Sequence, residues 1–224
     1  MDYKIHYSQK RKTLRITVER DRSVTVQAPE HYPVEKIENW LEKKREWIKS
    51  KQEHSQKYPT PFPVKDFVSG SSFMFMGNKY LLEIKSLPNK QHFYFDNKFY
   101  VDVDCKQKAE SLLEKWFRQQ ARATLIPKIE FYAKNLGVNY NRIAISKLKY
   151  RWGSCSPSGN LNFNWRIIKA PIFVINYILV HELAHLIELN HSTEFWNIVS
   201  VQVPDYQKAV AWLKDNGLLL EMDF

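Results

Sequence analysis

Apolar and polar positions alternate through the first third of the chain. Residues 3–8 and 13–28 read as strands: Leu14, Ile16 and Val18 alternate with Thr13, Arg15 and Thr17. Val24, Thr25 and Val26 resume the pattern after a polar turn at Arg20–Ser23. Pro29 and Pro33 bracket a break. A helix is then expected from Val34 to Lys51, with Val34, Ile37, Trp40, Leu41, Lys44 and Ile48 at helical spacing. The run 58–64 holds three prolines and reads as a linker. From Phe67 to Val103 short alternating runs return, with turn signals at Gly77-Asn78 and Asp96-Asn97. A long helix is expected over Lys106–Leu136, stopped by Gly137 and kinked or split at Pro127.

Beyond it, residues 140–170 read as loop and strand, with one strand at Asn160–Trp165 opened by Gly159. The last third is helical. Pro171 suits a helix start, and Ile172–Val180 is apolar nearly all round, so the helix of 171–189 is expected to be buried. Asn190 is expected to end it in a left-handed conformation, Ser192 to cap a following helix, and Asp205 to cap a last one over Tyr206–Asn216 that stops at Gly217. The fold class is α+β: a β-rich part over 1–104 with one helix, then a mainly helical part over 105–224.

Chemistry concentrates in the buried helix. His181 and His185 are four residues apart, so on a helix both imidazoles share one face and can bind one metal ion. Glu182 stands beside the first of them, suited to take a proton from water that zinc has acidified. Buried imidazoles also occur as hydrogen-bonded core residues, but a buried helix with two His and a Glu needs a reason for its polar groups. His191 can swing back as a third ligand; Glu188, Glu194, Asp205 and Glu221 are the alternatives. Upstream, Arg151 can stabilise an oxyanion or bind a substrate carboxylate, or else serve in a structural ion pair. Tyr206 is a further oxyanion donor, and Asn162 or Asn164 can face a cleft. Cys155, between Ser154 and Ser156, suits packing better than a redox or ligand role.

Composition narrows the setting. Two cysteines, Cys105 and Cys155, make no disulfide framework and suit a reducing compartment. No leader pattern is visible, and the apolar stretch Pro171–Val180 is too short to span a bilayer, so the expected location is the cytoplasm, with no membrane partner. The net charge is +10, and residues 140–170 carry six Lys/Arg against no Asp/Glu. That basic segment, next in sequence to the histidines, makes nucleic acid a candidate partner. Trp152 and Trp165 suit packing better than base stacking, and no nucleic-acid motif is present.

The run HELAHLIELNHSTEFW, preceded by RWGSC and NLNFNWRIIKAP, resembles the YgjP-like (DUF45, M48-like) zinc metallopeptidases. The likeness extends to KRKTLRITV, SGSSFMFMGNKYLLEI and PDYQKAVAWL, and so covers about residues 10–217. The metal motif is also similar to those of WLM/Wss1-type and SprT-type proteases. The resemblance implies a zincin-like catalytic part, Zn2+ held by His181, His185 and His191, Glu182 as general base, and a peptide or protein substrate. It also implies that an edge strand before the metal helix pairs with the substrate backbone. The His spacing matches that of metzincins, but Glu188 stands where they have Gly and no Met-turn is seen. Two other readings compete: a nucleic-acid-associated protease of the Wss1/SprT kind, and a non-catalytic module stabilised by zinc. Glu182, which a structural site would not need, speaks against the second.

Overall fold

The computed structural model describes residues 2–18, 23–53, 66–148 and 151–222. The expected linker 58–64 lies outside these residues, as does the polar turn apart from Ser23. Contacts divide the chain at 63/64, into Met1–Pro63 and Val64–Phe224, rather than after residue 104. The reason is that the second group of strands shares its core with the long helix, not with the first strands.

In the first unit, strands β1 (Tyr3–Ser8), β2 (Arg15–Val18) and β3 (Val24–Pro29) form a sheet ordered β1-β3-β2, with β1 parallel and β2 antiparallel to the central β3. Period-2 alternation turns Val24, Val26 and Ala28 to one face, where Ile37, Leu41 and Ile48 cover them. The expected single helix is two, α1 (Val34–Lys43) and α2 (Arg45–Glu53). Lys44 breaks it: its φ/ψ of −104°/6° is non-helical and its N–H bonds the Leu41 carbonyl, three residues back. No Gly or Pro marks the break, so the apolar spacing reads straight through it.

In the second unit, β4 (Ser72–Phe75), β5 (Asn78–Lys85), β6 (Phe93–Phe95) and β7 (Phe99–Asp102) form a sheet ordered β4-β5-β7-β6. Its aromatic face explains much of the aromatic content. Phe75, Phe95 and Phe99 pack on Trp116 and Phe117 at centroid distances from 4.8 to 6.2 Å. Those two rings belong to α3 (Ala109–Leu136), which follows a 3-10 turn at Val103–Lys108. Every fourth residue of α3, from Ala109 through Leu113, Phe117, Ala121, Leu125 and Ile129 to Ala133, is buried. Pro127 neither splits α3 nor enters that stripe; it lies on the exposed side, where the Ala123 carbonyl it leaves unbonded can meet water. Gly137 ends the helix in the left-handed region, as expected.

Strands β8 (Arg142–Ser146), β9 (Gly153–Cys155) and β10 (Asn160–Asn164) form a third sheet ordered β8-β10-β9. A buried 3-10 segment, Trp165–Lys169, leads into α4 (Ile172–Ala184), followed by α5 (Thr193–Gln202) and α6 (Tyr206–Glu221). The tight β4–β5 turn has Met76 and Gly77 both at positive φ (48° and 85°), as a primed hairpin turn needs. Their N–H groups donate to the carbonyls of Ile168 and Lys169, and Gly77 sits against Pro171. The first turn of α4 is thereby anchored to the sheet.

Two helix ends differ from expectation. Gly217 does not stop α6, which continues to Glu221 with Gly217 buried on its inner face. Asp205 occupies the N-cap position but gives its carboxylate to Lys208 Nζ at 2.9 Å instead of capping. Ser192 caps α5 through the Phe195 N–H, as expected. Among the described residues no helix is long and apolar enough to cross a membrane.

Candidate active site

The α4 helix presents the site. It ends at Ala184, five residues before the expected limit, because the next N–H groups turn inward early: Leu186 bonds Leu183 and Ile187 bonds Ala184, each three residues back. Asn190 takes no left-handed conformation. His181 lies in the last turn and His185 at the C-cap, so the four-residue spacing still places both rings on one face, 5.0 Å apart at their centroids. The segment 186–190 then reverses the chain. Glu188 steadies this bend, accepting the Asn190 N–H at 2.9 Å on its carboxylate.

The bend returns His191 to the pair. Its ring stands 4.9 Å from that of His181 and 4.8 Å from that of His185, with Nε2 3.1 Å from His181 Nε2. The donor atoms of all three lie within 4.8 Å of one another. The alternative third donors are engaged elsewhere: Glu188 as above, Glu194 with Ser192, Asp205 with Lys208 and Glu221 with Arg166.

The donor set fits a divalent metal. His185 Nδ1–H donates to the Glu188 carbonyl at 3.1 Å, which fixes the tautomer and leaves Nε2 bare. His181 Nδ1 meets the Tyr177 hydroxyl at 3.4 Å, and its Nε2 faces His191. Burial, then repulsion from His185 and His191, holds the His181 pKa down to about 3, so its lone pair stays available for a cation. The His185 pKa is lowered for the same first reason. Three imidazoles converging beside a buried carboxylate suit a bound cation, which would offset the cost of burying their polar groups.

Glu182 is that carboxylate. It is 8% exposed, and burial pushes its pKa up to about 7, against the opposing pull of the Arg151 charge and of the Cys155 N–H. The Cys155 thiol itself is raised by burial and by the Glu182 charge, and lies outside the imidazole cluster. It packs, as its surroundings suggested. Arg151 is exposed, at the mouth of the same segment.

Two candidates are placed otherwise. The strand Asn160–Asn164 is the central strand of its sheet, not an edge; the edges are β8 and β9, and β9 is the one that packs against α4. Asn164 is fully buried and clamps the loop before β9, donating to the Leu148 carbonyl at 2.9 Å and accepting the Arg166 N–H at 3.2 Å. Asn162 accepts a 2.9 Å bond from the Ser146 hydroxyl of β8. Neither side chain joins the imidazoles. Tyr206 does approach them: it stacks on Trp196 at 5.1 Å, and Trp196 stacks on His191 at 5.7 Å.

Sequence reasoning missed three contributors. Tyr177 precedes His181 by four residues, the helical spacing that could have pointed to it. Phe195 touches all three imidazoles, with centroids 4.9, 4.6 and 4.8 Å away. Gly153 carries no side chain to suggest a role. The basic segment 140–170 is also less basic on its surface than its composition implies: Arg166 and Lys169 are buried, Lys169 donating to the Leu220 carbonyl at 2.9 Å.

An imidazole triad on a helix and the bend after it, with a buried carboxylate between that helix and a sheet edge, defines a metallopeptidase-type centre. The sequence profile of the YgjP-like metallopeptidase domain matches residues 12–216, and the chain belongs to that family. The protein is therefore a metallopeptidase by family, and the triad its candidate metal site. Two solved structures are similar over part of the fold. The metallopeptidase zymogen abylysin of Pyrococcus abyssi is 23% identical and covers 39% of this chain and 91% of its own, with a TM-score of 0.34. The metallopeptidase zymogen jannalysin of Methanocaldococcus jannaschii is 20% identical, covering 39% and 93%, also at 0.34. A search of curated proteins found no match.

Proposed function

We propose that the protein is a zinc-dependent peptidase that hydrolyses peptide bonds with Glu182 as general base. The observation that carries this is the convergence of His181, His185 and His191 within 4.8 Å, with the buried Glu182 next to the first of them in sequence. The three imidazoles would hold the ion, with the second ring nitrogens of His185 and His181 already met by Glu188 and Tyr177. When bound, zinc supplies a Lewis acid that polarises a carbonyl and acidifies water.

The remaining steps belong to the chain. Glu182 takes the proton from the attacking water and passes it to the leaving amine. The Cys155 N–H beside it favours the ionised form that accepts the proton. The β9 edge can pair with an extended peptide through the Gly153 N–H and C=O and the Cys155 C=O, the Cys155 N–H being directed at Glu182, because pairing to β10 uses only alternate residues. Trp152 O accepts from Asn164 and Ser156 N–H donates to Asn160, so Gly153 and Cys155 turn their backbone groups outward. On this reading Arg151, whose charge acts on Glu182, and Tyr206, stacked beside Trp196, are the candidates to meet developing oxyanion charge or a substrate carboxylate.

Unfolded casein incubated with the purified protein tests this. Cleavage should cease with a chelator and return on addition of zinc. Cleavage that continues unchanged in excess chelator would rule out the metal-dependent reading.

A further inference from the structure

Nothing in the motif HExxH says what fixes the side chain of its glutamate. In this molecule one face of that side chain rests on the backbone of β9. A Cβ built on Gly153 would lie 2.5 Å from Glu182 Cγ, 2.6 Å from Oε1 and 2.8 Å from Cδ. These are distances that carbon atoms do not adopt, and Glu182 is too enclosed to swing far aside, being 8% exposed. Gly153 has no positive φ, so no turn geometry demands glycine there. The space itself is the reason for it.

Two residues on, the Cys155 N–H lies beside the carboxylate and favours its ionised form. The alternation along β9 explains why it can: Gly153 and Cys155 both face away from β10, toward α4. Backbone at one position makes room and backbone at the other supplies the donor. The edge strand is held in place from its far side by β10 and by the Asn164 amide, which clamps the carbonyls of Leu148 and Arg151.

We propose that Gly153 is a positioning residue: its missing side chain lets Glu182 lie against β9, where the Cys155 N–H fixes the carboxylate. The inference rests on the reading of Glu182 as general base. With a methyl group at 153 the carboxylate is displaced by about an ångström or more, enough to cost roughly a hundredfold in the chemical step. The three atoms nearest that methyl group all belong to Glu182 and none to an imidazole.

Gly153→Ala and Glu182→Ala, each loaded with zinc, are compared with the parent by steady-state kinetics and by the 15N–1H resonance of the Cys155 amide. Gly153→Ala should keep one zinc per chain, lose about a hundredfold in kcat with KM within a fewfold, and shift the Cys155 amide toward its position in Glu182→Ala. Unchanged kcat, or a loss carried by KM alone, would overturn the proposal. Should Gly153→Ala not fold, the amide still decides. A Cys155 resonance identical in the parent and Glu182→Ala would show that no carboxylate is held there. Full activity in Glu182→Ala would instead overturn the assignment of the base and leave the packing of Gly153 as a purely structural fact.

Discussion

Glu182 and Tyr177 act on the site through opposite physics. Glu182 is a buried acid whose pKa stands at about 7 in the metal-free protein, against an ordinary 4.5. A raised folded pKa means that its favourable contribution is complete below about pH 4.5 and is lost as pH rises toward 7. Glu182→Gln removes this loss. Metal-free Glu182→Gln should therefore match the parent in stability at pH 4.5 and exceed it at pH 8, by on the order of 3 kcal/mol, as measured by urea unfolding. A difference constant across that range would contradict the burial argument. Tyr177 contributes orientation: its hydroxyl meets His181 Nδ1 at 3.4 Å, and burial raises its pKa to about 12, so it stays a neutral phenol. Tyr177→Phe should weaken zinc binding about tenfold in a competition assay with a chromogenic chelator. No change would mean that the contact orients nothing.

At this scale the histidines and Glu182 were legible because helical spacing is visible in the sequence. Gly153 and Phe195 were not, since their roles depend on what stands opposite them in space. Asn162 and Asn164 look polar and available in the sequence, yet hydrogen bonds to Ser146, Leu148 and Arg166 consume them.

Helices and turns set the frame for these residues. The α4 helix is anchored at its first turn by the Met76–Gly77 hairpin and closed at its last by the bend to His191. Gly77 has φ of 85°, and a Cβ there would stand 2.9 Å from Pro171 Cγ. Gly77→Ala should lower stability by about 1–2 kcal/mol from backbone strain, with a further loss if Pro171 yields. Calorimetry showing an unchanged midpoint would refute that anchoring. Element type was well predicted where amphipathic spacing or a left-handed glycine signals it, as at β3, α3 and Gly137. Ends were missed where tertiary packing overrides local signals. Lys44 breaks a helix with no breaker residue, Gly217 fails to end one because it is packed inside, and Asn162 sits on a central strand whose edge partner is only three residues long.

Over the whole chain, the two units have separate cores, and all three histidines of the candidate metal site lie in Val64–Phe224. On the proposed reading zinc binds the folded site and not the unfolded chain, so it should raise the melting point of that unit alone. Differential scanning calorimetry is expected to show one transition that rises with zinc and falls with chelator, and one, from Met1–Pro63, that moves with neither. Two transitions shifting together would show that the units unfold as one. The proline run 58–64 marked a linker where the units divide, yet sequence alone grouped β4–β7 with the first strands as one part to residue 104, because it could not see that they pack their aromatic face on α3. The positive charge is likewise a property of the chain more than of one surface, since two of the six cations in 140–170 are interior.

The most direct test compares the parent with Glu182→Gln for two quantities on the same samples: zinc per chain by atomic emission, and the rate of casein cleavage. Both proteins should hold one zinc, and only the parent should cleave. A Glu182→Gln protein that digests casein at the parental rate, or a parent that binds no zinc while cleaving, would contradict the account.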